Sequence, residues 1–197
     1  GTNLPTGEKI HLEVHGNKCY VMVRGKGHNV ATINSGSASL SFSLLKNFNG
    51  ITFGISPADT NRIVMFGIDR NVTPIGTHNG GSTWFNISSL PYAGQPEDFE
   101  HRLNGSPVWA MFHDTNPNLV FAMRYQHTGK STDGGKTFVW ASRGLDYSEI
   151  RWIGFHPVDP LRFFMCMTDK LTLVMDGGIA LDDKLDGPAK EIIKGYI

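Results

Sequence analysis

This 197-residue chain is short of most of the features that point directly to a role. It has no surplus charge, with 18 Lys+Arg against 18 Asp+Glu. No basic tract breaks that balance, which argues against nucleic acid or an anionic membrane as the main partner. No apolar run reaches the ~18 residues that span a bilayer. The start, Gly1-Thr2-Asn3-Leu4-Pro5-Thr6-Gly7, is polar and shows no signal peptide. It also lacks an initiator Met, which fits a processed or excised chain and leaves the compartment open. The eight histidines are read as forming no metal set. Gly25-Lys26-Gly27 is followed by no helix pattern, so it reads as a hairpin turn and not a phosphate cradle. The expectation is therefore no metal, no cofactor, no nucleic acid and no membrane span.

A short repeated pattern is what the chain does have. Thr77-His78-Asn79-Gly80-Gly81-Ser82-Thr83-Trp84 and Ser131-Thr132-Asp133-Gly134-Gly135-Lys136-Thr137-Phe138 share the form S/T-x-D/N-G-G-x-T-W/F. Weaker copies occur at Thr32-Ile33-Asn34-Ser35-Gly36 and Val174-Met175-Asp176-Gly177-Gly178. The Asx positions, Asn34, Asn79, Asp133 and Asp176, are 45, 54 and 43 residues apart, a period of one supersecondary unit per repeat. The chemistry of the pattern is that of a tight turn. The Asx side chain accepts backbone N–H bonds, and the glycines take positive φ. The Thr and the aromatic that follow (Trp84 or Phe138) restart a strand. These residues are read as structural and not catalytic.

The pattern resembles the Asp-box, or bacterial-neuraminidase, repeat of sialidases, xyloglucan-cleaving hydrolases, sortilin-type receptors and photosystem-assembly propellers. A second element supports the resemblance. Ile55-Ser56-Pro57-Ala58-Asp59-Thr60-Asn61-Arg62-Ile63-Val64 reads as the strand-turn-strand that opens such repeats. It recurs from Phe112 to Ala122 and from Phe155 to Met165. The resemblance implies an all-β fold of four-stranded antiparallel propeller blades. Composition agrees, with 23 glycines and only 18% charged residues, as many short strands and turns require.

On this reading residues 1–197 form a single propeller segment with repeats at 8–45, 51–88, 107–142 and 150–185, and an insertion at 89–106. The strands expected are 10–15, 19–24, 29–33 and 40–45 in the first repeat, and 51–56, 63–67, 73–77 and 84–88 in the second. The third gives 108–112, 119–124, 126–131 and 138–142, and the fourth 151–155, 162–168, 171–175 and a last strand near 179. The first two strands of each repeat look nearly continuously apolar, as expected where neighbouring blades cover both faces. Cys19 and Cys166 fall on second strands and read as buried thiols, which report nothing about redox compartment. Propellers close to protect their edges. Four repeats therefore suggest a segment completed by remaining blades or by other subunits, with a closed four-bladed ring as the alternative.

The Asx turns join third to fourth strands at one end of the blades. In the resembling families the opposite end holds the ligand, and there the reading places Arg24, Lys26, His28, Asp69, Arg70, Arg124, Tyr125, His127, Asp169 and Lys170. The insertion, with Tyr92, Glu97, Asp98 and Glu100, projects on the same side, as do Asp146, Tyr147 and Glu149. Arg70, Tyr92, Arg124, Tyr125 and His127 are the candidate ligand contacts. Glycosidases place two carboxyls ~5–10 Å apart, and Asp69, Glu97, Asp98 and Glu149 supply candidates, although no spacing singles out a pair. A sialidase-like site would add a Tyr nucleophile such as Tyr147 beside Glu149, with arginines on a substrate carboxylate. The Arg-Ile-Pro signature of that family is absent. Two readings follow: a non-catalytic module that binds glycan or protein or builds an assembly, in an extracellular complex or a virus particle, or part of a glycoside hydrolase.

Overall fold

The computed structural model describes residues 4–34, 39–68, 71–89, 109–124, 127–141, 150–156, 162–167, 173–176 and 179–180. These contain strands and turns and no helix. The first sheet runs β1 (Lys9–His15), β2 (Lys18–Val23), β3 (Gly27–Thr32), β4 (Phe42–Lys46), each antiparallel to the next. The second runs β5 (Gly50–Ile55), β6 (Ile63–Gly67), β7 (Ile75–Thr77), β8 (Phe85–Asn86). After β9 (Ser88–Ser89) comes the third, β10 (Trp109–Phe112), β11 (Val120–Arg124), β12 (His127–Ser131), β13 (Thr137–Trp140). The last is β14 (Ile150–Phe155), β15 (Arg162–Met167), β16 (Leu173–Asp176), β17 (Ile179–Ala180). These are the four meandering blades that the repeat spacing implies.

The boundaries differ from expectation where turn chemistry intervenes. In the second repeat β7 is only Ile75–Thr77, because Pro74 precedes it and has no N–H for a ladder. Trp84 lies just before β8 and is half-buried, its indole N–H donating to the Gly81 carbonyl at 2.9 Å. Ser88, expected as the end of the second repeat, and Ser89, expected as the start of the insertion, instead pair in parallel with β13 and become the outer edge of the third blade. The Ser88 N–H donates to the Lys136 carbonyl at 3.0 Å. One repeat thus closes the edge of the next, which covers part of an otherwise open strand.

Period-two alternation of apolar residues builds the seams between blades. Along β6, Ile63 and Met65 face the first blade, where they meet Tyr20 and Met22, and share that side with Phe48 and with Phe53 and Ile55 of β5. Val64 and Phe66 face the third, against Ile87, Ala110, Phe112, Val120, Ala122 and Phe138. Every residue of β6 is buried. The first strands β1, β5 and β10 lie side by side, which puts them innermost.

β1 departs from the continuous apolar run expected of a first strand. Its side chains alternate, and the polar set faces the second blade while Leu12 and Val14 face out, 60% and 53% exposed. Register pairs them with Val21 and Cys19 of β2, on the side away from the second blade. Leu44 of β4 shares that side and is 56% exposed. Cys19 is a free, buried thiol whose pKa burial pushes up.

In the two strong Asx turns the second glycine lies against the preceding blade. A Cβ on Gly135, at φ +88, would come within 2.3 Å of Val64 Cγ1, and one on Gly81, at φ +95, within 2.8 Å of Leu45 Cδ1. Gly135→Ala should therefore cost on the order of 2–4 kcal/mol, from a left-handed backbone plus forced repacking of the seam. Gly16 also has positive φ but nothing within 4 Å of its Cβ position, so Gly16→Ala should cost only about 1 kcal/mol. Denaturant midpoints of the two variants check the difference.

Candidate functional site

The two strong Asx turns share most of their internal bonding. Asp133 Oδ1 accepts the N–H groups of Lys136 at 2.9 Å and Thr137 at 3.0 Å and the Ser131 hydroxyl at 2.7 Å; Oδ2 accepts the Thr137 hydroxyl at 2.6 Å. Ser131 Oγ in turn accepts the Gly135 N–H at 2.8 Å. In the second repeat Asn79 Oδ1 accepts the Thr83 N–H at 2.9 Å and the Thr77 hydroxyl at 2.9 Å, and its amide donates to Thr83 Oγ1 at 2.8 Å. Burial pushes the Asp133 pKa up. The bonds from Thr137, Ser131 and Lys136 outweigh it and hold the carboxyl below its usual range. The fourth-repeat Asp176 ends β16, and the turn after Asn34 falls at 35–38, outside the described residues.

This end of the molecule also ties blades together. His78 Nε2–H donates to the Gly134 carbonyl at 2.9 Å, and Arg62 donates to Asn118 Oδ1 at 2.7 Å, both from the second blade to the third. The first glycine of each turn donates back to its own repeat, Gly80 to the Asn61 carbonyl and Gly134 to the Asn118 carbonyl, each at 2.9 Å. His113 is buried, and its Nδ1 accepts the N–H groups of Thr115 at 3.2 Å and Asn116 at 3.3 Å, bracing the β10–β11 turn.

At the opposite end, Arg24 and Lys26 sit in the exposed β2–β3 turn, with Arg24 3.2 Å from Glu8. Arg124 and His127 are register partners where β11 meets β12, so they share one hairpin end. Asp69, Arg70, Tyr92, Glu97, Asp98, Tyr125, Tyr147 and Glu149 lie outside the described residues. His28 is a correction. It belongs to β3 and is fully buried in the first seam, because the turn closes at Lys26 and Gly27 already starts the strand.

The innermost strands bring together a set that the sequence reading missed. His11, Glu13 and His15 alternate along β1 and face one side. Glu13 Oε1 lies 3.2 Å from His11 Nε2, and Oε2 lies 2.7 Å from His15 Nε2. The N–H of Phe53 on β5 donates to His11 Nδ1 at 3.3 Å. A backbone N–H can only donate, so Nε2 carries the ring proton and gives it to Glu13. Thr52 Oγ1 also meets His11 Nδ1 at 2.7 Å. The His11 ring stacks on Phe53 at 4.4 Å and meets the edge of Trp109 of β10 at 5.8 Å. Trp109 is itself 53% exposed. Burial raises the Glu13 pKa, but the bonds from His11 and His15 and their charges prevail and hold it low. The signal in sequence is His-x-Glu-x-His, which places all three on one face of a strand. Among the described residues no three His, Cys, Asp or Glu gather as a metal site.

No protein-family model and no curated protein sequence matches the chain. Among solved structures it is similar to YCF48 bound to D1 peptide, at 16% identity and TM-score 0.56, over 89% of this chain and 52% of that one. It is similar to the GH74 enzyme of Niastella koreensis at 13% identity and TM-score 0.61, over 90% of this chain and 30% of that one. It is also similar to the dihydro-heme d1 dehydrogenase NirN in complex with DHE, at 11% identity and TM-score 0.57, over 90% of this chain and 37% of that one. At such identities the likeness is one of fold. The chain is built of β-propeller blades, and it spans about half or less of the length of these propellers.

Asp133→Ala should cost on the order of 1–3 kcal/mol, since backbone donors lose their acceptor. Asp133→Asn should cost clearly less, because Asn79 makes most of the equivalent bonds in the second repeat. Thermal unfolding of the two variants checks the order.

Proposed function

We propose that this chain is a non-catalytic propeller segment that binds a protein partner and is completed by further blades or subunits. The observation that carries this reading is the outward face of the first blade. In the second and third blades the equivalent face is covered by the blade before it. In the first, Leu4 and Leu40 cover only the middle of that face, over Cys19, Val21, Val23 and Ala31, and Leu12, Val14 and Leu44 stand in solvent. Three large apolar side chains on one sheet face mark a surface built to be covered. The similarity to a propeller solved with a bound peptide supports a protein as the partner. The Asx turns are assigned a structural role, because their side-chain oxygens already hold backbone and hydroxyl donors. The ligand surface is assigned to the end opposite these turns, with Arg70, Tyr92, Arg124, Tyr125 and His127 as contacts.

A glycan is the second ligand class this surface suits, since aromatics such as Tyr92 and Tyr125 stack on sugars. The hydrolase alternative would draw its acid and nucleophile from Asp69, Glu97, Asp98, Tyr147 and Glu149. Turnover of β-glucans or sialosides by the parent protein, abolished at one of these positions, would establish it and overturn the non-catalytic reading.

Sedimentation of the purified chain tests the covered face. Self-association is expected, weakened at least about tenfold by Leu12→Lys with Leu44→Lys. A monodisperse 21.7 kDa monomer at high concentration overturns it. For the ligand surface, Arg124→Ala with Tyr125→Ala should weaken partner binding with little change in Tm. Thr132→Ala with Lys136→Ala, beside an Asx turn, should leave binding intact; the reverse result inverts the face assignment.

A further inference from the structure

The seam between the first and second blades contains a residue that the packing rules do not favour. His28 is fully buried, and neither of its ring nitrogens has a hydrogen-bond partner. Its ring lies 4.2 Å from that of Phe53 across the seam and 5.8 Å from that of Tyr20 on its own sheet. A buried imidazole without a polar partner is tolerated only while it is neutral. The same seam holds His11, whose Nδ1 takes the Phe53 N–H only while that nitrogen is unprotonated. Both contacts join β1–β4 to β5–β8, and both depend on an imidazole without its second proton.

We propose that this seam is an acid-opened clasp, in which proton uptake at His28 parts the first blade from the second while the seam between the second and third blades stays closed. The surroundings show why a charged His28 cannot be accommodated in place. From β1 it is approached by Glu13 and His11, and both Glu13 oxygens are already engaged by His11 and His15. From β2 it meets the Tyr20 ring. Its register partner on β4, Lys46, is itself a cation and places its ammonium 5.6 Å from the Trp84 ring centre. From β5 and β6 come Phe53, Ile55, Ile63 and Met65, none of which titrates. A protonated ring therefore reaches a counter-charge or water only if the seam opens. The core of the second seam, Val64, Phe66, Phe112, Val120 and Phe138, is apolar. Its turn end holds His78, which donates through Nε2–H to the Gly134 carbonyl, a bond that a second ring proton leaves in place.

The linkage has a definite sign. Burial pushes the His28 pKa down to about 3 from an ordinary 6.5; the Glu13 charge opposes this and His11 adds to it. The unfolded or opened chain then binds a proton that the closed form refuses. The stability is complete above about pH 6.5 and is lost as the pH falls from there toward 3. Glu13, held below its ordinary 4.5, adds a loss only below that value.

Tm measured between pH 7.5 and pH 5.0 should fall by roughly 5 °C in the full chain. His28→Phe, which keeps an aromatic in the seam, should show less than half that fall. Hydrogen exchange at pH 5.0 should rise in β1–β4 more than in β10–β13. Equal falls in both proteins, or an equal rise in both blades, overturns the proposal. Should His28→Phe fail to fold, NMR titration of the full chain decides. A His28 ring that stays neutral to pH 5 in the closed form supports the clasp, and one that titrates near pH 6.5 with the seam intact refutes it.

Discussion

A four-stranded blade has two faces and is stable only when both are covered, so everything in this molecule depends on how one blade seats on the next. A single meander cannot bury enough apolar surface by itself. The second blade meets the condition most fully, with β6 buried throughout and its odd and even positions serving different neighbours. The Asx-Gly-Gly turn sets the spacing. Its first glycine donates to the opening turn of the same repeat, and its second, lacking a Cβ, lets the preceding blade approach within contact of the backbone. The turn that orders the strands therefore also sets the distance between blades. Its Asx side chain holds the turn closed from inside, which accounts for the recurrence of Asp and Asn with glycine and Thr at fixed offsets.

Among the described residues, the first two seams reach closure differently. Between the second and third blades the contact is apolar, reinforced at the turn end by Arg62 to Asn118 and His78 to Gly134. Between the first and second it is mixed, with Tyr20, Met22 and Phe53 beside His11, Glu13 and His28. An apolar seam is indifferent to pH over the ordinary range, and a seam resting on neutral imidazoles is not. The exchange of Ser88–Ser89 onto β13 adds a backbone link between the second repeat and the third blade. The first and third blades are thus held to the second by different chemistry.

β1 shows how far pattern reading reaches. Its alternation says strand, and strand it is. The alternation alone does not say which set faces in, and the apolar set would be the usual choice. Here the polar set faces the neighbouring blade, because His11 finds Phe53 and Thr52 there and Glu13 lies between two imidazoles. Leu12 and Val14 are left facing outward. His28 illustrates the same limit from the other side. Next to Gly25-Lys26-Gly27 it reads as a loop residue, but the hairpin is tighter than composition suggests, and one residue of register moves a side chain from solvent to core.

The amino-acid sequence by itself determined the number and kind of units. Asx-Gly-Gly spacing, glycine content and short apolar runs lead to four-stranded blades, with most strand ends within one or two residues, because turns and strands follow from local backbone preferences. It also carried the His-x-Glu-x-His alternation that places three titratable groups on one side of β1. Only the tertiary structure decided what those groups meet, which apolar face stays partly uncovered, and which blade owns Ser88–Ser89. These depend on contacts between residues tens of positions apart, such as His11 with Phe53 and Ser88 with Thr137, and local preference carries no information about such pairings.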